Sequence, residues 1–150
     1  MRSFGKEGRL LEGIFKSKVL IIHMRKETEN WFAQAEEDLD SAKANKQIKK
    51  YYIAAFMSQQ CAEKALKAAY IEKFKSAVIK THNLLELGEA LKVSEEIMDC
   101  LLELNFDYTM SRYPDAANAI PSKAYNEVIA ERKIRKAEVV FQWVSSQIKK

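Results

Sequence analysis

The chain has little of what makes turns, crosslinks or membrane spans. Its 150 residues include two prolines, four glycines, two cysteines and two histidines. So few helix breakers exclude a linker or a low-complexity tract. Cys61 and Cys100 have no CxxC or zinc-ligand spacing, which argues against a disulfide framework and fits free thiols in a reducing cytoplasm. In "FKSKVLIIH" the apolar run Val19 to Ile22 is short, Lys16 and Lys18 interrupt it, and no small-residue cleavage site follows. Neither a signal peptide nor a membrane span is expected. A strong excess of one charge is missing too: 25 basic residues face 21 acidic ones, a balance that permits nucleic-acid contact without implying it. No acid or histidine pair at i, i+4 has a third ligand in view, so no metal or cofactor is expected.

What is present is helical periodicity. From about Thr28 to Ala44, the apolar positions Trp31, Ala35, Leu39 and Ala42 recur at helical spacing behind an acidic first turn. A second helix is expected from Lys50 to Phe74, with the stripe Tyr52, Ala55, Phe56, Ala62, Leu66, Ala69 and Tyr70. "KTHNLLELGEAL" reads as a third, short helix with Thr81 as N-cap, and Ser94 starts a fourth through Ile97, Leu101, Leu104 and Tyr108. A fifth is expected from Pro121 or Ser122 to Ile148, burying Ala137, Val140, Phe141, Val144 and Ile148. "YTMSRYPDAANA", residues 108 to 119, reads as a non-helical break. No segment alternates with period 2, so strands are not expected. The expected fold is all-α, an antiparallel up-and-down bundle of four or five helices. Residues 1–23 read as an N-terminal extension, with Met24 a candidate translation start, and residues 24–150 as the bundle domain.

Projected at 100° per residue, Gln59 and Glu63 fall inside the apolar stripe of the second helix, flanked by Gln60 and Lys67, and Asp38 does the same on the first. A buried polar group without a partner costs on the order of 2 to 7 kcal/mol, so these three require partners. They define either a closed structural network or a polar ligand pocket between helices. Arg112 is the expected cation for the inward acids, because a guanidinium bonds a carboxylate through two donors and keeps its charge when desolvated. Phe32, Phe141 and Trp143 are expected in the core, with an interface as the alternative.

The segments "NWFAQAEEDLDSAK", "YYIAAFMSQQCAEKALKAAY", "THNLLEL" and "DYTMSRYPDA", in that order, resemble the HEPN domain family of prokaryotes and of the C-terminus of the chaperone sacsin. The resemblance runs from about Met24 to Ile148. It implies a helical bundle, usually a homodimer, that binds nucleotides or RNA and often works beside a minimal nucleotidyltransferase, in places as a toxin–antitoxin pair. Many members are metal-independent endoribonucleases in which an arginine is followed, after four to six residues, by a histidine. There the arginine stabilises phosphorane charge and the histidine moves protons.

Arg112 matches that arginine, but the window for histidine holds Ala117, Asn118 and Ala119. Asn118 can position a phosphate but cannot act as a base. His82 is the remaining candidate base, and its place at a helix start favours a structural role. The reading is therefore a nucleotide- or RNA-phosphate-binding domain without catalysis. Arg112 would take the phosphate, Tyr113 would stack or form the pocket wall, and Asp115 would orient the arginine or cap the next helix. Gln60, Glu63, Lys64 and Lys67 would line the pocket. The alternatives are a ribonuclease using Arg112 with His82 or Asn118, and a structural interaction module.

Overall fold

The computed structural model describes residues 24–149, so the expectations for residues 1–23 lie outside the described residues. The first long helix, α1 (Lys26–Gln47), turns back through residues 48–50 into α2 (Tyr51–Phe74). Their antiparallel course is visible at the open end, where the Thr28 hydroxyl at the start of α1 donates to Glu72 Oε2 at the end of α2, 2.9 Å away. After α2 the chain runs back along the bundle so that His82 comes level with Glu63. It then forms α3 (Leu84–Leu91) and α4 (Glu95–Asn105), an antiparallel pair closed where the Leu84 amide donates to Asn105 Oδ1. Three single turns follow, α5 (Asp107–Met110), α6 (Pro114–Ala117) and α7 (Pro121–Ala124), before the last long helix, α8 (Glu127–Ile148).

Ion pairs fix the direction of α8. Lys46 and Lys43 on α1 meet Glu131 and Glu138 on α8, and Lys133 on α8 bonds the Glu103 carbonyl on α4. α8 is thus antiparallel to both neighbours, and α1, α2, α4 and α8 run up, down, up, down with α3 as a short insert. Every described element is helix or turn. The all-α bundle read from the periodicity is the fold found.

Several local readings change. α2 is buried nearly all round rather than along one stripe: Ala54, Ala55, Cys61, Ala62, Ala65, Leu66, Ala68 and Ala69 are all buried, while Tyr52, Phe56 and Tyr70 are only partly so. It is the central helix, packed against α1, α3, α4 and α8, and its alanines allow close approach from several sides. Asn83, not Thr81, caps α3: Asn83 Oδ1 accepts from the Leu85 amide, and Thr81 Oγ1 accepts from the Asn83 amide. Ser94 caps α4 as expected. The last helix begins at Glu127 instead of Pro121 or Ser122, because Asn126 accepts from the Ile129 amide and restarts the helix after the separate turn α7. Residues 108–119 are not a single irregular break either, since α5 and α6 lie within or across them. Proline at the first position of α6 and α7 needs no backbone N–H there.

The core unites all five longer helices through Leu39, Leu66, Leu84, Leu87, Leu101, Leu104, Ile134, Val140 and Val144. Phe32 and Phe141 stack face to face between α1 and α8, with centroids 4.7 Å apart, and with Trp143 they pack against this core. Among the described residues no helix is long and apolar enough to cross a membrane.

Candidate functional site

Two polar assemblies lie along α2. The first runs along α2 from its contact with α1 to His82 in the segment ahead of α3. Asp38, 2% exposed, accepts from Gln34 at 2.9 Å and pairs with Lys64 at 2.5 Å. Next to Lys64 in the chain, Glu63 is 3% exposed and serves three partners: Lys67 Nζ at 3.2 Å, His82 Nδ1 at 3.0 Å and Gln59 Nε2 at 3.4 Å. Gln60 donates to Gln59 Oε1, and Lys67 also lies over the Trp31 ring, 5.3 Å from its centroid. The three inward polar residues are therefore buried and bonded, which removes the penalty an unpaired group would carry.

The cation expected to balance them is elsewhere. Among the described residues Arg112 makes no ion pair; Lys64 holds Asp38 from α2 instead, and Lys67 holds Glu63 from one turn further along α2. Asp115 is exposed on α6, where it neither orients Arg112 nor caps a helix. Asn118 is exposed too, in the left-handed conformation (φ 52°) that ends α6. The residues assigned together from the sequence thus divide. Lys64 and Lys67 reach α1 through Asp38 and Trp31, Glu63 meets Lys67 and His82, and Gln60 bonds Gln59, while Arg112 and Tyr113 belong to a second assembly.

That second assembly is an aromatic cradle at the α1–α2 turn end of the bundle. Arg112 Nε donates to the Tyr108 carbonyl at 2.7 Å, and its Cζ lies 4.2 Å from the Tyr108 ring and 4.9 Å from those of Phe56 and Tyr113. Cation–π contact with three rings and a bond through Nε hold the guanidinium while its terminal nitrogens stay open to solvent. A cleft of about 470 Å³ opens beside it, lined by Tyr52, Ile53, Phe56, Ser111, Ile120 and Pro121 among others. Tyr113 and Ile120 are exposed around it.

Tyr108 joins the two assemblies. The His82 imidazole stacks on its ring, 4.2 Å between centroids and 16° from parallel, so His82 touches Glu63 through one nitrogen and the Arg112 cradle through its ring face. Sequence reasoning missed Phe56 and Tyr108 as site residues by assigning both to the apolar stripes. The i, i+4 spacing of Tyr108 and Arg112 was the available signal.

A third buried group supports the loop from behind. Asp107, at the start of α5, accepts from the Tyr125 hydroxyl at 2.6 Å and faces Lys133 Nζ at 3.0 Å as an ion pair. Burial pushes the Asp107 carboxyl above its ordinary range, while Lys133 and the Tyr125 hydroxyl pull the other way; burial and the neighbouring carboxylate also push the Tyr125 phenol up. This contact ties the turn before Arg112 to the residues just ahead of α8. Among the described residues no cluster of three or more His, Cys, Asp or Glu side chains is placed to hold a metal.

The described residues form an up-and-down helical bundle, which is the class of fold; it carries an open, aromatically cradled arginine and a carboxylate-bound histidine. The profile of the HEPN domain matches residues 28–147, and the chain belongs to that family. Solved structures agree. The chain is similar to TT1696 from Thermus thermophilus, with 28% identity, a TM-score of 0.74, and 82% of this chain and 99% of that one covered. ST0689, an archaeal HEPN homologue, is 34% identical with a TM-score of 0.69, covering 83% and 99%. An HEPN domain protein of Thermotoga maritima is 28% identical with a TM-score of 0.62, covering 78% and 95%. No curated protein sequence matches the chain.

Proposed function

We propose that this HEPN domain binds nucleotides or RNA through phosphate, with Arg112 as the anion-recognising group. The observation that carries this reading is the state of Arg112: held through Nε and three rings, with no carboxylate neutralising it among the described residues. A charged donor already in position loses less freedom on meeting a phosphate than a free surface lysine does. Tyr113, exposed beside it, offers a face for a base to stack on. Lys64 and Lys67 contribute no free charge, since each is committed to a buried acid. The family likeness supports the rest of the reading, in which the domain works as a homodimer in the cytoplasm beside a minimal nucleotidyltransferase, as one half of a toxin–antitoxin pair.

Fluorescence anisotropy of a labelled single-stranded oligonucleotide tests the assignment. Binding is expected to weaken as salt rises and to be lost in Arg112→Ala. A thermal-shift screen of nucleotides gives a second measure, because a ligand at 100 times its Kd adds roughly 2.7 kcal/mol. Equal binding by wild type and Arg112→Ala would remove Arg112 from the site.

A further inference from the structure

We infer that the outer faces of α4 and α8 form a docking surface for a second copy of this chain, with α4 of one copy packed antiparallel along α8 of the other. The inference deepens the homodimer of the reading above by assigning its surface, and it rests on that part of the reading and not on Arg112.

Two stripes carry it. On α8, Val128, Arg132, Arg135 and Val139 follow steps of four, three and four, and all four are exposed. On α4, Glu95, Asp99, Leu102 and Phe106, which ends the helix, follow the same steps and are exposed too. At 100° per residue each stripe lies opposite the core side of its helix, which is Ile97, Leu101 and Leu104 on α4 and Ala130, Ile134 and Ala137 on α8. Core packing therefore does not account for the four apolar side chains: Val128 is 73% exposed, Phe106 64%, Leu102 45% and Val139 38%. Helix propensity does not account for them either, since valine and phenylalanine are only middling helix formers. Apolar groups gathered on one outer face mark a surface that another protein covers.

Charge names the occupant. The exposed side of α4 is acidic, with Glu95, Glu96 and Asp99, and the helix holds no lysine or arginine. α8 is basic along its stripe, and Glu131 beside it is answered by both Lys46 and Arg135. Among the described residues Glu95, Asp99 and Arg132 make no ion pair. A nucleic acid or an anionic membrane drawn to α8 is repelled by α4. A second copy presents both signs in the order required. Laid antiparallel, Leu102 falls on the partner's Val128, Asp99 beside the partner's Arg132 and Glu95 beside the partner's Arg135, because both helices advance about two turns over the same seven residues. Within one chain α4 and α8 are antiparallel neighbours, tied where Lys133 Nζ donates to the Glu103 carbonyl at 2.7 Å. A two-fold axis along them therefore lays α8 on the partner's α4 as well, and the contact is made twice. The apolar side chains supply the burial, while the charged pairs set the register and exclude wrong partners.

The test measures the mass of the full chain by light scattering over a range of concentrations. Wild type is expected at twice the chain mass. Reversing α8 with Arg132→Glu and Arg135→Glu, or α4 with Glu95→Lys and Asp99→Lys, sets like charges against each other and should raise the dimer Kd by about 100-fold or more. An equimolar mixture of the two reversed proteins should recover the dimer, because each acidic stripe again meets a basic one; a loss of fold does not predict this rescue. Val128→Ser, at an exposed side chain, keeps every charge and should raise the Kd by about 10-fold. Full dimer in both reversed proteins, or a mixture that stays monomeric, overturns the α4–α8 surface and leaves the homodimer standing on some other face. Monomeric wild type at every concentration overturns the surface and the homodimer together, and phosphate binding at Arg112 is decided by its own assay.

Discussion

The Tyr125 hydroxyl donates to Asp107 Oδ1 at 2.6 Å, joining the turn that carries Arg112 to the restart of the chain at α8. Both side chains are buried, so the bond is sheltered from competing water. Tyr125→Phe keeps the ring and removes only this donor. It should cost about 1.5 to 3 kcal/mol in urea unfolding, the range for a hydrogen bond to a charged acceptor.

The same carboxyl has a pH signature. Burial raises Asp107 above its ordinary value of 3.8, which favours the protonated form in the folded chain. Its contribution to stability is fully present below that ordinary value and is lost as pH rises through the raised one. Asp107→Asn cannot ionise, so the stability difference between the variant and the wild type should shift in the variant's favour as pH rises across this window. Urea midpoints at a series of pH values from about 3 to 7 check the sign; no change with pH would contradict it.

Lys64 and Asp38 provide a contrast between buried and exposed pairs. Asp38 is 3% exposed and Lys64 21% at the side chain, whereas Lys43 and Glu138 are 49% and 44% exposed. Lys64→Ala strands a buried carboxylate and should cost about 3 kcal/mol. Lys43→Ala should cost roughly 0 to 1 kcal/mol. Denaturant unfolding of the two variants compares them directly.

Backbone geometry supports a pair of opposite outcomes. A Cβ on Gly88 would sit 2.6 Å from Leu101 Cδ1 and 3.1 Å from Met98 Cε. Leu101 is fully buried, so the gain in helix propensity from Gly88→Ala is outweighed by overpacking, and a net loss of about 1 to 2 kcal/mol is expected. Lys92 ends α3 at φ 54°, where a Cβ is strained. Lys92→Gly should stabilise by up to about 1 kcal/mol. Thermal midpoints should move in opposite directions.

Arg112→Ala should change stability by less than about 1 kcal/mol, because the arginine is exposed and leaves no buried acid unpaired when removed. A larger loss in urea unfolding would mean that the cradle depends on the cation. The small expected change is what makes the variant usable in the binding assay.

Helix existence and order were legible in the sequence because apolar spacing reports one face of a helix directly. Ser94 as a cap and the inward turn of Asp38, Gln59 and Glu63 followed from the same local periodicity. The element boundaries around residues 107–126 were less legible: capping by Asn126 decided where α8 begins, and either Pro121 or Ser122 would have been a sound start on local grounds. What periodicity determined was that three polar residues must point inward; which partners they meet depended on tertiary structure. Lys64 reaches Asp38 because α1 packs antiparallel along α2, and Lys67 closes on Glu63 beneath Trp31, so the acids were already paired before Arg112 could serve them. The return of residues 75–83 brings His82 to Glu63 and onto Tyr108, a meeting of distant side chains that no local pattern encodes. Sequence spacing sets which way a side chain faces on its own helix; the packing of helices decides what it faces.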